Sequence, residues 1–324
     1  MRKRHRKRLR KKDIVKRRII ITISLFSLTL ILTISYSAFS TNINLSAKGH
    51  VYKTSDKCYE TADNGDGTVT ITNYDKNCGS EVNIPSTIKG KIVTRIGSTS
   101  WDVSKSFNNK DLTKVVIPDT VMSIGTCAFW SNNISYLDLG NGVQSIGAEA
   151  FVGNKLTSII FPPSLKELRE EAFRNNRLTS VPSLENIRYG GGIFAGNNLT
   201  GDDVFIYGKN SDGIIDNTIL NSYGGKSAKE ITLPSNVKTI QPYAFRQISA
   251  STINLTNVEN IEIVAFFQTQ IPIINISNAI KSINKEAVTQ SPNITTININ
   301  RKENSIAGAP WGATNATVNW TGDN

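Results

Sequence analysis

Histidine and cysteine are nearly absent from this chain of 324 residues: His5 and His50 are its two imidazoles, and Cys58, Cys78 and Cys127 its three thiols. That leaves little material for a metal centre or for imidazole-based acid–base chemistry. Neither a His-x-x-x-His spacing nor a Gly-x-Ser-x-Gly nucleophile elbow occurs. A basic surplus is also missing where it would matter. The formal charge is +11, yet residues 1–18 hold 12 of the 37 Lys/Arg and one of the 26 Asp/Glu, so the other 306 residues carry 25 of each sign. A neutral body lacks the basic footprint that a phosphate backbone requires, so no nucleic-acid partner is expected. No cofactor motif is found.

The charge that is present has a location. The run MRKRHRKRLRKKDIVKRR precedes Ile19 to Ser40, a segment without a charge. A basic stretch before an apolar one addresses a chain to a membrane. Twenty-two uncharged residues can span a core of ~30 Å, and Ala38-Phe39-Ser40 offers the small residues that a signal peptidase accepts. Residues 1–40 therefore read as a signal peptide cleaved after about Ser40 or as a retained signal anchor in contact with the membrane. On either reading the positive-inside rule puts residues 41–324 outside the cytoplasm, secreted or at the cell surface.

The cysteines agree with that compartment. Between Cys58 and Cys78 the alternation Thr68-Val-Thr-Ile-Thr72 and the turn residues Asp66-Gly67 read as a β-hairpin, which brings the two sulfurs together for a disulfide; two unrelated thiols are the alternative. Cys127, beside Ala128-Phe129, reads as a small buried hydrophobe. Asp63-Asn64-Gly65-Asp66-Gly67 has some likeness to a calcium loop, but Ala62 and Asn73 stand where that loop needs its first and last carboxylates, so a turn is expected.

Residues 107–198 repeat themselves in register. Phe107, Phe129, Phe151 and Phe173 lie 22 residues apart and Phe194 follows after 21; Phe245, Phe266 and Val288 resume the frame, and a weak last copy ends near Trp311. One register held over eight units marks a stacked array. Within a unit, Leu112 to Ile117 ends in apolar alternation closed by Pro118, as a short strand does, while Val121, Ile124 and Phe129 return the chain and Gly125 is read as permitting a tight bend. A lone coil leaves both flanks of its apolar column wet. Coils must therefore stack, their strands forming a parallel sheet at ~4.8 Å spacing on one face. The expected class is a β-rich α/β solenoid of about 22-residue coils behind an N-terminal β-hairpin cap. It divides into 1–40 (export), 41–95 (cap module), 96–311 (solenoid) and 312–324 (closing strand and tail).

The pattern LTKVVIPDTVMSIGTCAF, with its IPDTV/LPSNV and IG-x-x-AF steps, resembles the BspA-like leucine-rich repeats of bacterial surface proteins over roughly residues 80–320. The head CYETADNGDGTVTITNYDKNC and the closing APWGATNATVNW look like the end modules of such proteins. The resemblance implies an extracellular right-handed solenoid used for adhesion or recognition. The sequence departs from the pattern in the shortened fourth strand LTSVPSLENI, in Val288 and Pro310 standing for Phe, and in the absence of a sortase-type tail after Trp320.

If Leu112, Val115 and Ile117 point inward, the outer sheet face carries Lys114, Val116, Tyr136, Asp138, Ser158 and Ile160. Later coils add Glu230, Thr252, Asn254, Asn275 and Asn298. Tyr136 beside Val116 and Ile160 is an amphipathic patch of the kind enriched at interfaces; a merely solvated sheet is the alternative. The Ala-Phe pairs read as stacked core. The column Asn132, Asn154, Asn176, Asn198 reads as backbone-bonding amides, with carbohydrate binding as the other possibility. Residues 200–228 interrupt the frame, since Phe194 to Phe245 is 51 residues. They read as a hairpin or a distorted double coil whose tip, with Lys209, Asn210 and Asp212, projects for recognition or only packs. The expected partner is a protein or glycan at the cell surface. A self-packing envelope protein, or a carbohydrate-active enzyme using Asp202 and Asp203, are the rivals; the Glu170-Glu171 pair reads as solvated surface.

Overall fold

The computed structural model describes residues 43–45, 51–53, 56–98 and 106–322. The segment read as signal peptide or anchor, 1–40, and His50 lie outside the described residues. Among the described residues no helix is long and apolar enough to cross a membrane. The chain divides into two compact units, Met1–Asp56 and Lys57–Asn324. The first shows one antiparallel pair, Ile43–Leu45 with Val51–Lys53. The second begins inside the span read as the cap module and is a β-solenoid of about 11 turns of roughly 22 residues. Among the described residues, helix is confined to the 3-10 turns Asp56–Cys58, Lys76–Cys78 and Gly201–Val204.

The front of the solenoid is a hairpin of Tyr59–Asp63 and Thr68–Tyr74 with Tyr59 opposite Tyr74. Its turn is closed from within: Asp63 Oδ1 accepts the Gly65 N–H at 2.9 Å and Asp66 Oδ1 that of Thr68 at 3.0 Å. Cys58 and Cys78 are bonded behind it.

Each regular coil places one strand on each of two ladders. On the strand face, Glu81–Asn83, Lys114–Val116 and Tyr136–Asp138 pair in parallel, Val82, Val115 and Leu137 sharing a register. On the return face, pairs such as Ser123–Ile124 and Ser145–Ile146 stack likewise. After the interruption the strand face resumes with Ser227–Thr232, Ser249–Leu255, Ile273–Ile276, Thr296–Ile299 and Thr317–Trp320. The expected sheet is therefore not continuous, because residues 157–161 and 179–183 form no strand. In the third coil Phe161 stands where Ile117 and Leu139 fill the core; it is only half-buried and leans on Phe173, ring centroids 5.6 Å apart. A ring in a slot sized for a branched aliphatic holds that coil off its neighbour. The fourth coil is a residue short and carries Pro182, which has no N–H for a ladder.

The phenylalanines form a buried column. Phe107, Phe129, Phe151 and Phe173 are fully buried, with consecutive centroids 4.9, 5.1 and 5.2 Å apart, close to the strand spacing. The apolar interior is nonetheless two cores, one running from Cys58 to Ile206 and one from Val204 to Ala313. The break falls at the interruption, where Phe205–Lys209 and Ile215–Tyr223 form an antiparallel hairpin. Hairpin and coil are one object: Ile219 and Leu220 pair with Thr239 and Ile240 on the return face, and Tyr223, 22 residues before Phe245, stacks on that ring at 5.9 Å.

Turns follow the column. The residue two before the ring and the residue two after it are left-handed in most coils: Cys127 and Ser131, Glu149 and Gly153, Glu171 and Asn175, Tyr243 and Gln247, Val264 and Gln268. Gly125, read as the bend, has no positive φ. Its role is close approach, since a Cβ there would lie 2.2 Å from the Ser98 carbonyl oxygen. The turns are held by buried amides. Asn154 Oδ1 accepts the Ile134 N–H at 3.0 Å while its Nδ2 donates to the carbonyls of Phe129 and Phe151 at 2.9 and 3.1 Å. Asn132 and Asn176 repeat this, but the fourth member is Asn197, not Asn198, because that coil has 21 residues and the shortened strand moves the register by one. In the second half Thr269 and Ser291 take over the position.

Candidate binding surface

Where the strand face stops, its outer side chains border a cleft. Tyr136, Asp138, Ser158, Ile160 and Pro162 line a hollow of about 380 Å3. No backbone hydrogen bond joins Tyr136–Asp138 to residues 158–160 among the described residues. Ile160 is 86% exposed and Tyr136 53% exposed, so two large apolar surfaces face water on opposite walls of one opening. Lys114 sits with its ammonium 5.4 Å from the Tyr136 ring centre, and Val116, half-buried, lies two residues along the Lys114 strand in register with Asp138. Asp138 spends one oxygen on the Gly140 N–H at 3.1 Å and remains exposed. Four sequence-selected residues thus stay on one paired surface, and Ser158 and Ile160 stand across the cleft from it instead of on the next strand.

A second hollow, about 800 Å3, opens beneath the hairpin and is lined by Val181, Pro182, Leu184, Tyr189, Ile214 and Ile215 among others. Ile214 and Ile215 are exposed. The hairpin that roofs it is tied down: Lys209 donates to the Glu185 carbonyl at 2.6 Å and lies 5.5 Å from the Tyr189 ring centre, and Tyr189 donates to the Tyr207 carbonyl at 2.8 Å. Asn210 builds the tip, its Oδ1 accepting the N–H groups of Asp212 and Ile214 at 3.0 and 3.1 Å. Of the three tip residues, Asp212 alone keeps its side chain uncommitted, exposed and with no hydrogen bond or ion pair among the described residues.

Beyond the interruption the outer face carries an amide ladder. Asn275 donates to Asn254, Asn298 to Asn275 and Asn319 to Asn298, at 2.7, 2.8 and 2.9 Å, and Asn254 donates to the Glu230 carboxylate. Nearly every amide is used by its neighbour, which leaves this half as a self-satisfied polar sheet.

The acidic pairs separate as adjacent residues in a coil do. Asp202 and Asp203 are exposed on a 3-10 turn and Glu170 is exposed, whereas Glu171 is buried. Glu171 meets Arg246 and Arg174, with Arg174 Nε 3.2 Å from it, and Arg246 also donates to Glu149 at 3.1 Å. Burial pushes the Glu171 carboxyl up to about 7, against the pull of the two guanidinium groups. This cluster and the hairpin hollow escaped the sequence, which placed Glu230, Asn254, Asn275 and Asn298 on the outer face without their bonds to one another. A charge at the column position 171 and the recurrence of Asn at 254, 275, 298 and 319 were the available signals.

The pattern of the BspA type Leucine rich repeat region matches residues 103–211 and 215–314 in six copies. No curated protein matches the chain. Among solved structures, a leucine-rich repeat protein from Eubacterium ventriosum is 21% identical over 80% of this chain and 72% of its own, with a TM-score of 0.46. One from Bacteroides ovatus is 22% identical over 81% and 69%, also at 0.46. A leucine rich cell surface protein from Faecalibacterium prausnitzii is 19% identical over 83% and 95%, at 0.36. With its repeat pattern matched over more than half of its length, the chain belongs to the BspA type leucine-rich repeat family.

Proposed function

We propose that this protein is a recognition scaffold acting outside the cytoplasm, and that it takes an extended apolar segment of a partner protein in the cleft between Tyr136 and Ile160. One observation carries the reading: two exposed apolar side chains line the walls of an opening that no backbone hydrogen bond crosses. Burying them against a partner supplies roughly 25 cal/mol per Å2 of apolar area, and aromatic anchors of this kind dominate interface energetics. Lys114 and Asp138 give the rim charges of both signs, and the hollow under Ile214 and Ile215 offers a second apolar seat. Leucine-rich repeat scaffolds in general mediate protein interactions. The basic run before an uncharged segment and the disulfide support export, since such bonds persist in oxidising compartments. Adhesion is the role this combination suits.

The test is capture of extracellular and cell-surface proteins by the purified chain, followed by affinity measurement with Tyr136→Ala and Ile160→Ala. A tenfold or greater loss for the captured partner, with an unchanged melting temperature, is expected. Unaltered affinity, or concentration-dependent self-association with no partner captured, ends the reading.

A further inference from the structure

On the turn flank, away from the strand face, a different hollow is built from the same repeat. Its volume is about 470 Å3, and its lining comes from successive coils at constant offsets from the phenylalanine column. Two residues past the ring come Asn109, Ser131, Gly153 and Asn175; four past it come Asp111, Asn133, Lys155 and Arg177; Lys226 enters from beyond the hairpin. Because these residues sit in or beside left-handed turns, their side chains are presented outward at the coil spacing of ~4.8 Å.

The chemistry of the lining is selective. Lys155, Arg177 and Lys226 are exposed, and none has a carboxylate within ion-pair distance among the described residues. Some cations elsewhere are matched, Lys91 to Asp63, Arg188 to Glu167, Arg174 and Arg246 to Glu171, Lys238 and Lys281 to Glu259, and others such as Lys166, Lys285 and Lys302 are not among the described residues, so what sets this flank apart is the gathering of three around one hollow. Three like charges from three coils outnumber the single carboxylate of Asp111 around this hollow, and the surplus attracts an anion. The amide groups of Asn109 and Asn133 and the hydroxyl of Ser131 make no hydrogen bond among the described residues, while the buried Asn132 and Asn154 are consumed by the backbone. Free amides and a hydroxyl both donate and accept, as sugar hydroxyls require. No aromatic ring lines the hollow, so there is no platform for stacking nucleic-acid bases. No large apolar side chain lines it either, so a peptide finds nowhere to bury an anchor.

We propose that this flank is a binding site for an acidic polysaccharide, its anionic groups held by Lys155, Arg177 and Lys226 and its hydroxyls by Asn109, Ser131 and Asn133. The chain of sugars runs along the solenoid axis from the amide end to the cationic end. The anion is a sulfate ester or a uronate carboxylate, and the site is separate from the cleft at Tyr136 and independent of it.

Affinities of the full chain are measured at physiological salt for a heparin-type sulfated octasaccharide, an unsulfated hyaluronan octasaccharide, an oligothymidylate and a short polyglutamate. The variants are Lys155→Ala/Arg177→Ala/Lys226→Ala, Asn109→Ala/Asn133→Ala, and a control triple of Lys166→Ala/Lys285→Ala/Lys302→Ala elsewhere on the surface. The expected result is binding of one or both glycans. The first variant should lose it at least tenfold and the second severalfold, the control should keep it, and all should melt alike. Binding of the octasaccharide from heparin alone assigns a sulfate, and binding of both assigns a site that also takes carboxylate. The proposal is overturned if neither glycan binds, if the site and control triples lose affinity equally, or if oligothymidylate or polyglutamate binds as tightly with the same loss.

Discussion

Arg246 reaches back across the interruption to Glu171, a carboxylate 1% exposed in the other half of the solenoid. The guanidinium is sandwiched by chemistry of its own half, 5.0 Å from the Phe267 ring centre and 5.6 Å from that of Tyr243. The apolar core is divided at this place, so the ion cluster with Glu149 and Arg174 joins what the hydrophobic contacts do not. Arg246→Ala leaves Glu171 with Arg174 alone and removes this contact between the halves. It should therefore cost about 1–3 kcal/mol in urea unfolding, and the two halves should then melt in separate calorimetric transitions. A single undivided transition of unchanged midpoint would show that the cluster holds nothing together.

The same cluster sets a pH dependence. Glu171 holds its proton up to about 7 in the folded protein, mainly because it is buried, against an ordinary value of 4.5. The stability this provides is complete below about 4.5 and is lost as pH rises towards 7, because the unfolded chain releases the proton first. The effect is on the order of 3 kcal/mol at most. Glu262, also raised by burial, adds a like slope that a change at 171 does not touch. Urea midpoints at pH 5 and 7.5 should fall with pH in the parent and fall less in Glu171→Gln; parallel falls in both would refute the assignment.

Asn154 is expected to matter more than an amide of its size. Asn154→Ala strands the buried Ile134 N–H and takes one of two amide donors from the Phe129 and Phe151 carbonyls, which Asn132 and Asn176 still reach. At about 1–3 kcal/mol for a stranded group, the variant should lose about that much. Asn198→Ala, one residue off the column and exposed, should lose under about 0.5 kcal/mol. Chemical denaturation of the pair checks the register directly.

Gly147→Ala tests close approach as distinct from backbone freedom. An added Cβ would lie 2.6 Å from backbone atoms of Gly125 and Thr126 in the coil below. Overpacking of this kind costs about 1–3 kcal/mol, whereas Gly213→Ala, at the open hairpin tip where no atom comes within 4 Å, should cost only about 1 kcal/mol for its positive φ. Melting temperatures that rank the two the other way would contradict the packing argument.

Peptide mapping without reductant should recover Cys58 joined to Cys78, and a thiol reagent should leave Cys127 unmodified at pH 8 until the fold is opened. Burial first, and then Glu149 and Glu171, push that thiol up to about 11, so almost no thiolate is present to react. Rapid labelling of the folded protein would show the site to be open.

Stacking was legible because a 22-residue frame leaves the same mark in every coil: Phe151 and Leu156 are where the pattern puts them. The two things that shape the candidate surface were not legible, for a common reason. Phe161 reads as one more apolar residue at an apolar position, and only its size relative to the slot filled by Ile117 opens the sheet. Arg246 and Glu171 are 75 residues apart, and nothing local announces that Tyr223 takes a ring position 29 residues after Phe194 and so brings them together. The 51-residue gap was visible. Which seven residues were surplus depended on three-dimensional register.

Two left-handed residues at fixed offsets from most rings have a bearing on how such an array can change length. The corner geometry belongs to the backbone and is paid in conformational strain of about 1–2 kcal/mol at each non-glycine site, so a coil is self-consistent only as a whole. Gain or loss of complete coils preserves both corners and the ring beneath them. Fractional insertions survive where they leave the frame sideways, as the hairpin at 205–223 does. Duplication is thus the easy route to a longer or shorter protein, and surface novelty concentrates at the few places where the count goes wrong.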